Sequence, residues 1–479
     1  MKVRVRRFVL AALCALSVAQ ASLQAQPRPV PTPDWKKVEQ ETLEHFQAIL
    51  RIDTANPPGN ETAVVDYVEQ VLRREGIATE RFALEPGRAN LVARVKGTGR
   101  KRPFLIMGHT DVVSVDPAKW TYPPFSATRA DGYIYGRGSL DDKPHVVAGL
   151  MMLVLLKRAS VALDRDVIFL AEAGEEGTTR VGIDFMTTEH FDAIDAEYCL
   201  AEGGSVRREG GRIQYAQIGT MEKAPRTIDL IARGPSSHGS VPTKGNAVAR
   251  LAKAVAALTD WQPPVRLNET TRTYFTRLAA LSPPEQAARF RHLLSGDQAQ
   301  MEDAGRYFQE HSPNYAALLR PTISPTVLRA GNRYNIIPSE ATATLDVRLL
   351  PDDDPGAIVA ELTRVINDPT VEVTFAARDG LPRPLGVSRL DTEAFRAIES
   401  AVAQNYDTVT IPAMSTGASD NAQMRAKGVQ CYGLGVATDA EDAGKGFGAH
   451  SDQERVLETE LHRFIRTTWD VVINVARAR

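Results

Sequence analysis

Phe104-Leu105-Ile106-Met107-Gly108-His109-Thr110-Asp111 decides the reading of this chain: four apolar residues run directly into an imidazole and a carboxylate. Two further runs end the same way. Val167 to Ala171 leads into Glu172 and the Glu175-Glu176 pair, and Tyr198 to Ala201 leads into Glu202-Gly203-Gly204. Short apolar runs of this kind read as buried parallel strands. In open α/β sheets the ligand site lies in the crevice outside the carboxyl ends of the strands. One histidine and four glutamates delivered to one sheet edge point to a metal-dependent hydrolase site.

Outward from these runs, helical patterns cover Asp34 to Leu50, Glu61 to Glu75 and His145 to Lys157, with strand-like runs at Thr79 to Phe82 and Asn90 to Val95. Strands alternating with helices predict a doubly wound α/β catalytic domain. The pattern then changes. Strands at Arg226 to Ala232, Thr322 to Leu328, Ala341 to Leu349 and Val371 to Phe375 alternate with helices at Gly245 to Leu258 and Pro355 to Ile366. That β-α-β-β-α-β order is the split-βαβ, ferredoxin-like arrangement. It predicts a compact second domain at 220–378 that interrupts a catalytic domain made of 34–219 and 379–479. An insertion at 262–321 carries its own helical patterns, such as Pro284 to Leu294. Strand signals return only at Val429 to Leu434, within an α/β stretch beginning near Asp391.

The chain has 479 residues, 43% hydrophobic and 24% charged, an ordinary globular composition. With 57 Lys plus Arg against 59 Asp plus Glu the net charge is −2, which gives no reason to expect a nucleic-acid partner. Lys2, Arg4, Arg6 and Arg7 precede an apolar stretch from Phe8 to Val18, and Ala19-Gln20-Ala21 and Ala25 offer small residues for cleavage. Residues 1–25 therefore read as a secretory signal peptide, and the chain as an exported protein, periplasmic or secreted. The stretch is short of the ~20 residues that span a bilayer, so no stable membrane anchor is expected. Cys199 and Cys431 each lie inside an apolar run and read as buried free thiols.

The remaining donors follow in order. A carboxylate two residues beyond His109 can hold its imidazole and raise its basicity, which is the part Asp111 would play. Gly136-Arg137-Gly138-Ser139-Leu140-Asp141-Asp142-Lys143 places two acids at a helix entrance. They could simply favour the positive end of the helix dipole, or one carboxylate could bridge two cations. Glu175 and Glu176 would point to opposite faces of a continuing strand, whereas at a turn they can divide labour between ligand and proton carrier. Gly448-Ala449-His450 adds a late imidazole, followed by Asp452 and Glu454.

In order and spacing, Gly-His-x-Asp, Gly-Arg-Gly-x-x-Asp-Asp-Lys, Glu-Glu and the late Gly-x-His resemble the di-zinc amidohydrolase and exopeptidase family. That family includes acetylornithine deacetylase, succinyl-diaminopimelate desuccinylase, aminoacylase-1, glutamate carboxypeptidase and carboxypeptidase S. Glu202-Gly203-Gly204 and Trp120 to Phe125 look closest to the carboxypeptidase S and N-acyl-amino-acid hydrolase branch. The resemblance implies two Zn2+, with Co2+ or Mn2+ as substitutes. Asp141 would bridge them, His109 and Glu202 would complete one site, and Glu176 and His450 the other. Glu175 would be the general base and Asp111 the support of His109. Pro144 and Gly174 depart from the family pattern without removing a ligand.

The segment Arg233 to Pro242 resembles the family's lid histidine segment, which implies a homodimer in which His238 reaches the other subunit's site. Asn335 and Arg348 match family positions, Arg348 as a bidentate clamp on a substrate carboxylate. Gly417 and Ser419, in Thr416 to Asp420, resemble a loop that grips the same group. The activity implied is hydrolysis of a peptide or amide bond beside a free carboxylate. A deacylase of N-acyl amino acids is the alternative within enzymes, and a non-catalytic binding protein the alternative outside them.

Overall fold

The computed structural model describes residues 30–377 and 382–478; the expected signal peptide lies outside the described residues. Two helices lead, α1 (Trp35–Leu50) and α2 (Glu61–Arg74). In α1 the buried residues Val38, Thr42, Phe46, Ile49 and Leu50 recur at helical spacing and form one apolar face. There follow β1 (Thr79–Ala83), β2 (Ala89–Val95), β3 (Phe104–His109), α3 (Lys143–Arg158), β4 (Val167–Glu172), β5 (Tyr198–Ala201), β6 (Ser205–Glu209) and β7 (Arg212–Glu222).

The three runs read as buried strands are β3, β4 and β5, and they are parallel neighbours in the order β4-β3-β5. Register sets the site. His109 stands opposite Glu172 across β3 and β4, and Phe104 opposite Tyr198 across β3 and β5. All three strands therefore release their acidic or imidazole residues at one edge. The whole sheet has ten strands and is mixed, because β1 and β2 add antiparallel on one side and β6 and β7 on the other.

Helix α3 lies beneath this sheet with Lys143 to Leu156 buried throughout. Its contact is close enough that a Cβ on Gly149 would meet the Phe169 ring at 2.2 Å. Gly149→Ala should therefore force the helix off the sheet, at about 1–3 kcal/mol of stability. A thermal melt of that variant, compared with Ala148→Gly as a control for helix propensity, measures it; an unchanged midpoint would exclude the tight packing.

The second domain is β8 (Ala224–Arg233), α4 (Ala247–Asp260), then the helices α5 (Glu269–Leu281), α6 (Pro284–Leu294) and α7 (Gln298–His311), followed by β9 (Thr322–Ala330), β10 (Glu340–Leu349), α8 (Pro355–Ile366) and β11 (Val371–Phe375). Its sheet runs β9-β10-β8-β11, antiparallel at every pairing, which is the ferredoxin-like order. Burial alternates residue by residue along β10, and α4 and α8 cover the buried face through Leu251, Leu258 and Leu362. The catalytic strand β7 runs to Glu222, and β8 of the second domain begins at Ala224.

Helices α5 to α7 pack on the catalytic sheet rather than on the lid sheet. Phe275, Phe290 and Phe308 share a core with Ile411 and Met414. The chain returns through α9 (Glu393–Tyr406), β12 (Thr410–Ser415), β13 (Gln430–Gly433) and α10 (Glu458–Ala476). Strand β12 pairs with β7 alone, and Pro412 in its middle conceals it in the sequence; proline is tolerated on such edges. Cys199 and Cys431 are free and buried, opposite one another on β5 and β13.

Candidate metal centre

At the edge where β3, β4 and β5 end, five predicted ligands converge. His109 Nε2 lies 3.0 Å from one oxygen of Asp141, while His450 Nε2 lies 3.2 Å from the other. His450 Nε2 also lies 2.8 Å from Glu176. Asp141 thus faces two imidazoles through its two oxygens. His109, Asp141 and Glu176 present donor atoms within 4.8 Å of one another, and so do His109, Glu175 and Glu202.

Each donor is held from behind. The carboxylate of Asp111 accepts from the backbone N–H groups of Glu175 and Glu176, each at 3.1 Å, and from Asn56 Nδ2 at 2.8 Å. Its backbone oxygen sits 3.0 Å from His109 Nδ1, nearer than its carboxylate at 3.5 Å. Asp111 therefore fixes the Glu175-Glu176 turn as well as the imidazole. Gly174 makes that turn possible, with φ of +80° and Thr178 O only 2.4 Å from where a Cβ would stand. A side chain at this position would be strained in this chain.

The loop carrying Asp141 is gripped by Glu454. One oxygen accepts from the N–H of Leu140 at 2.7 Å and of Asp141 at 3.2 Å. The other accepts from Arg137 Nη1 at 2.6 Å. Both side chains of this ion pair are buried. Behind Glu202, Asn421 Nδ2 donates to its backbone oxygen at 2.9 Å and to Ser419 Oγ at 3.0 Å.

One functional side chain has no mark in the sequence. Arg383, in Leu381-Pro382-Arg383-Pro384, donates to Glu175 at 2.9 Å and to Asp420 at 2.6 Å. Nothing in its local composition sets it apart from a surface arginine. Only its neighbours in space do.

The cluster carries more negative charge than the protein neutralises. Burial and the charge of Asp420 push Glu175 up to about 8. Burial, with Glu175 and Asp141 nearby, raises Glu202 well above the carboxylate range. Burial opposes ionisation of Asp141, but hydrogen bonds from His109 and His450 outweigh it and hold its pKa down. Hydrogen bonds to Asp141 and Glu176 carry His450 to about 10. The buried carboxyls of Glu172 and Asp420 also lie against one another, within hydrogen-bond reach. Crowded carboxylates among imidazole nitrogens fit a pair of divalent cations of the zinc class.

A consequence is measurable. Ligands with pKa above the ambient pH hold protons that a cation must expel, so metal uptake at pH 7 should release protons from His450 and Glu202. The release should shrink as pH rises towards 10, and metal affinity should rise with pH over the same interval. Calorimetry in two buffers of different ionisation enthalpy counts the protons. No buffer dependence would contradict the assignment.

The lid residues stand apart. His238 is exposed, its Nδ1 accepting from Ser240 N at 3.1 Å, and it does not join the cluster of its own chain. Arg348 makes two hydrogen bonds to Asp346, at 2.7 and 3.0 Å. Asn335 lies on an exposed loop, its backbone oxygen accepting from Gly239 N at 2.7 Å. Gly417 N donates to Ser415 Oγ at 3.0 Å, and buried Ser419 donates to Glu222 at 2.7 Å.

The family model described as Peptidase family M20/M25/M40 matches residues 105–474, an interval that contains His109, Asp141, Glu175, Glu176, Glu202 and His450. The chain belongs to this family. Among M20/M25/M40 peptidases, it is 31% identical over 341 residues to "Probable carboxypeptidase S-like 2" of Dictyostelium discoideum, covering 69% of this chain and 64% of that protein. It is 27% identical over 329 residues to an N-fatty-acyl-amino acid synthase/hydrolase of Homo sapiens, covering 67% and 64%. The chain thus spans a little under two thirds of these curated relatives. An M20 family metallo-carboxypeptidase from Sulfolobus solfataricus shares the fold, with a TM-score of 0.66 at 20% identity over 90% of this chain and 98% of that one. As in that family, a two-domain α/β architecture carries a His, Asp and Glu cluster of the metal-dependent hydrolase type.

Proposed function

We propose that this protein hydrolyses a peptide or amide bond adjacent to a free carboxylate, as a carboxypeptidase-type exopeptidase with two zinc ions. The observation that carries this reading is Asp141, set between His109 and His450, with Glu175 beside the cluster but directed to Arg383. When bound, the cation pair supplies Lewis-acid activation of water. His109, Asp141 and Glu202 would hold one ion, and Asp141, Glu176 and His450 the other.

Glu175 takes a proton from the attacking water and passes it to the leaving amine, a role suited to a carboxyl whose burial brings its pKa near neutral. Asp111 keeps Glu175 and Glu176 on the same turn. His238 would steady the developing oxyanion, and Arg348 would exchange Asp346 for the substrate carboxylate, with Asn335, Gly417 and Ser419 as further substrate-binding residues. His238 acts in this scheme from a second subunit. The lid's edge strand β9 supports such a homodimer: among the described residues it pairs only with β10, and it exposes Val327 and Leu328. Export through the segment 1–25 belongs to the same proposal. Among the described residues no helix is long and apolar enough to cross a membrane.

The names of the relatives favour a carboxypeptidase on one side and an N-acyl-amino acid hydrolase on the other, and the latter is the second reading. Activity should vanish with a chelator and return with zinc. Peptides and N-acyl amino acids sharing one C-terminal residue separate the two readings by kcat/KM. Failure to cleave either class would defeat both.

A further inference from the structure

Two chambers flank the strand that follows Glu202. The smaller, about 330 Å3, contains Asp141 and Glu202 themselves. The larger, about 800 Å3, lies on the other side of Gly203-Gly204-Ser205, which line both. That volume is within the ~300–1,000 Å3 of small-molecule sites. The far wall of the larger chamber is built by the helical insertion, through Tyr274 on α5 and Tyr315 just after α7, facing Tyr215 and Gln217 on β7 and Arg207 on β6.

This wall is rigid. The Tyr315 ring packs edge-on against Phe290 and Phe308, at centroid distances of 5.4 and 5.6 Å. Lys223 Nζ donates to the backbone oxygens of Ala317 and Arg320, each at 3.0 Å, and ties the end of the insertion to the catalytic sheet. The chamber therefore exists before any ligand arrives.

Its chemistry is that of a donor-rich cleft. The hydroxyls of Tyr215, Tyr274 and Tyr315 are near enough to act on one another's ionisation, and Arg207 acts on all three. Tyr274 accepts from Gln217 Nε2 at 3.2 Å. The acid nearest Arg207 is Glu209, at 3.6 Å. A plain hydrocarbon chain would cover these phenols without offering them acceptors, which is unfavourable. A chain of amide carbonyls would meet them.

We infer that this chamber is a substrate subsite beside the metal centre, next to the Thr416 to Ser419 loop, and that it accepts a peptidyl segment, whose carbonyl oxygens receive hydrogen bonds from Arg207, Tyr215, Tyr274 and Tyr315, in preference to a fatty acyl chain. The inference rests on the hydrolase reading above and gives the insertion a role in specificity.

Zinc-loaded Glu175→Gln protein, titrated calorimetrically, separates binding from turnover. N-acetyl-Ala-Ala-Leu and octanoyl-leucine present chains of equal length on the same C-terminal residue. The peptide should bind roughly tenfold tighter or better, and Tyr315→Phe combined with Arg207→Gln should remove roughly tenfold of that preference, as expected for one or two lost hydrogen bonds. Affinity for octanoyl-leucine should stay the same in that variant. Equal or tighter binding of octanoyl-leucine overturns the assignment, and so does a peptide preference that survives both substitutions. Wild-type hydrolysis of N-acetyl-Ala-Ala-Leu and of acetyl-leucine is measured alongside. If both are absent while the peptide preference and its loss are found, the reaction is wrong and the chamber stands.

Discussion

Glu175→Gln should lower kcat by ~10²–10⁴-fold, the usual worth of a positioned general base, while the protein keeps its metal content and its substrate affinity. The side chain loses only its ability to accept a proton. Its backbone N–H still donates to Asp111, so the turn that also carries Glu176 keeps its shape. The amide can still accept from Arg383 through its oxygen. Metal analysis beside steady-state kinetics gives the decisive pair of numbers. A variant with more than about a tenth of wild-type kcat would remove Glu175 from the base role, because the loss expected of a missing base is at least ~10²-fold.

Glu454→Ala should be the most damaging substitution outside the ligands. It leaves the buried guanidinium of Arg137 without its acid and strips acceptors from the N–H groups of Leu140 and Asp141. Breaking a buried ion pair from one side costs about 3–5 kcal/mol. Because Asp141 is presented by that loop, bound metal should fall together with the melting temperature. Arg137→Met combined with Glu454→Leu removes both charges and should melt above the single Glu454→Ala variant. If the single variant melts like wild type, or the double variant is the worse of the two, the clamp described here is wrong.

The two predictions rest on residues of different legibility. Glu175 stood beside an apolar run that ends at the sheet edge, so its neighbourhood was readable from the strand alone. Glu454 was visible only as an acid trailing His450, and nothing around it marked a partner at Arg137. Arg383 was less visible still. It lies in a proline-flanked loop without periodicity, yet it is the cation that touches Glu175. Strands β7 and β12 were missed for a related reason. Polar residues in the first half of β7 and Pro412 in β12 interrupt the alternation that betrays a strand, although both lie in the catalytic sheet.

The amino-acid order by itself determined the donor set, the ends of the three strands that deliver it and the β-α-β-β-α-β order of the lid. These are local properties: apolar periodicity and the residue that follows a buried run are written within a few positions of one another. Tertiary structure alone decided that Asp111 holds the Glu175-Glu176 turn, that Glu454 grips the Asp141 loop and that the insertion walls a chamber beside Glu202. The physical reason is that a buried charge or donor takes whichever complementary group the packed chain brings near. Arg137 and Glu454 lie 317 positions apart, a separation over which no sequence pattern operates.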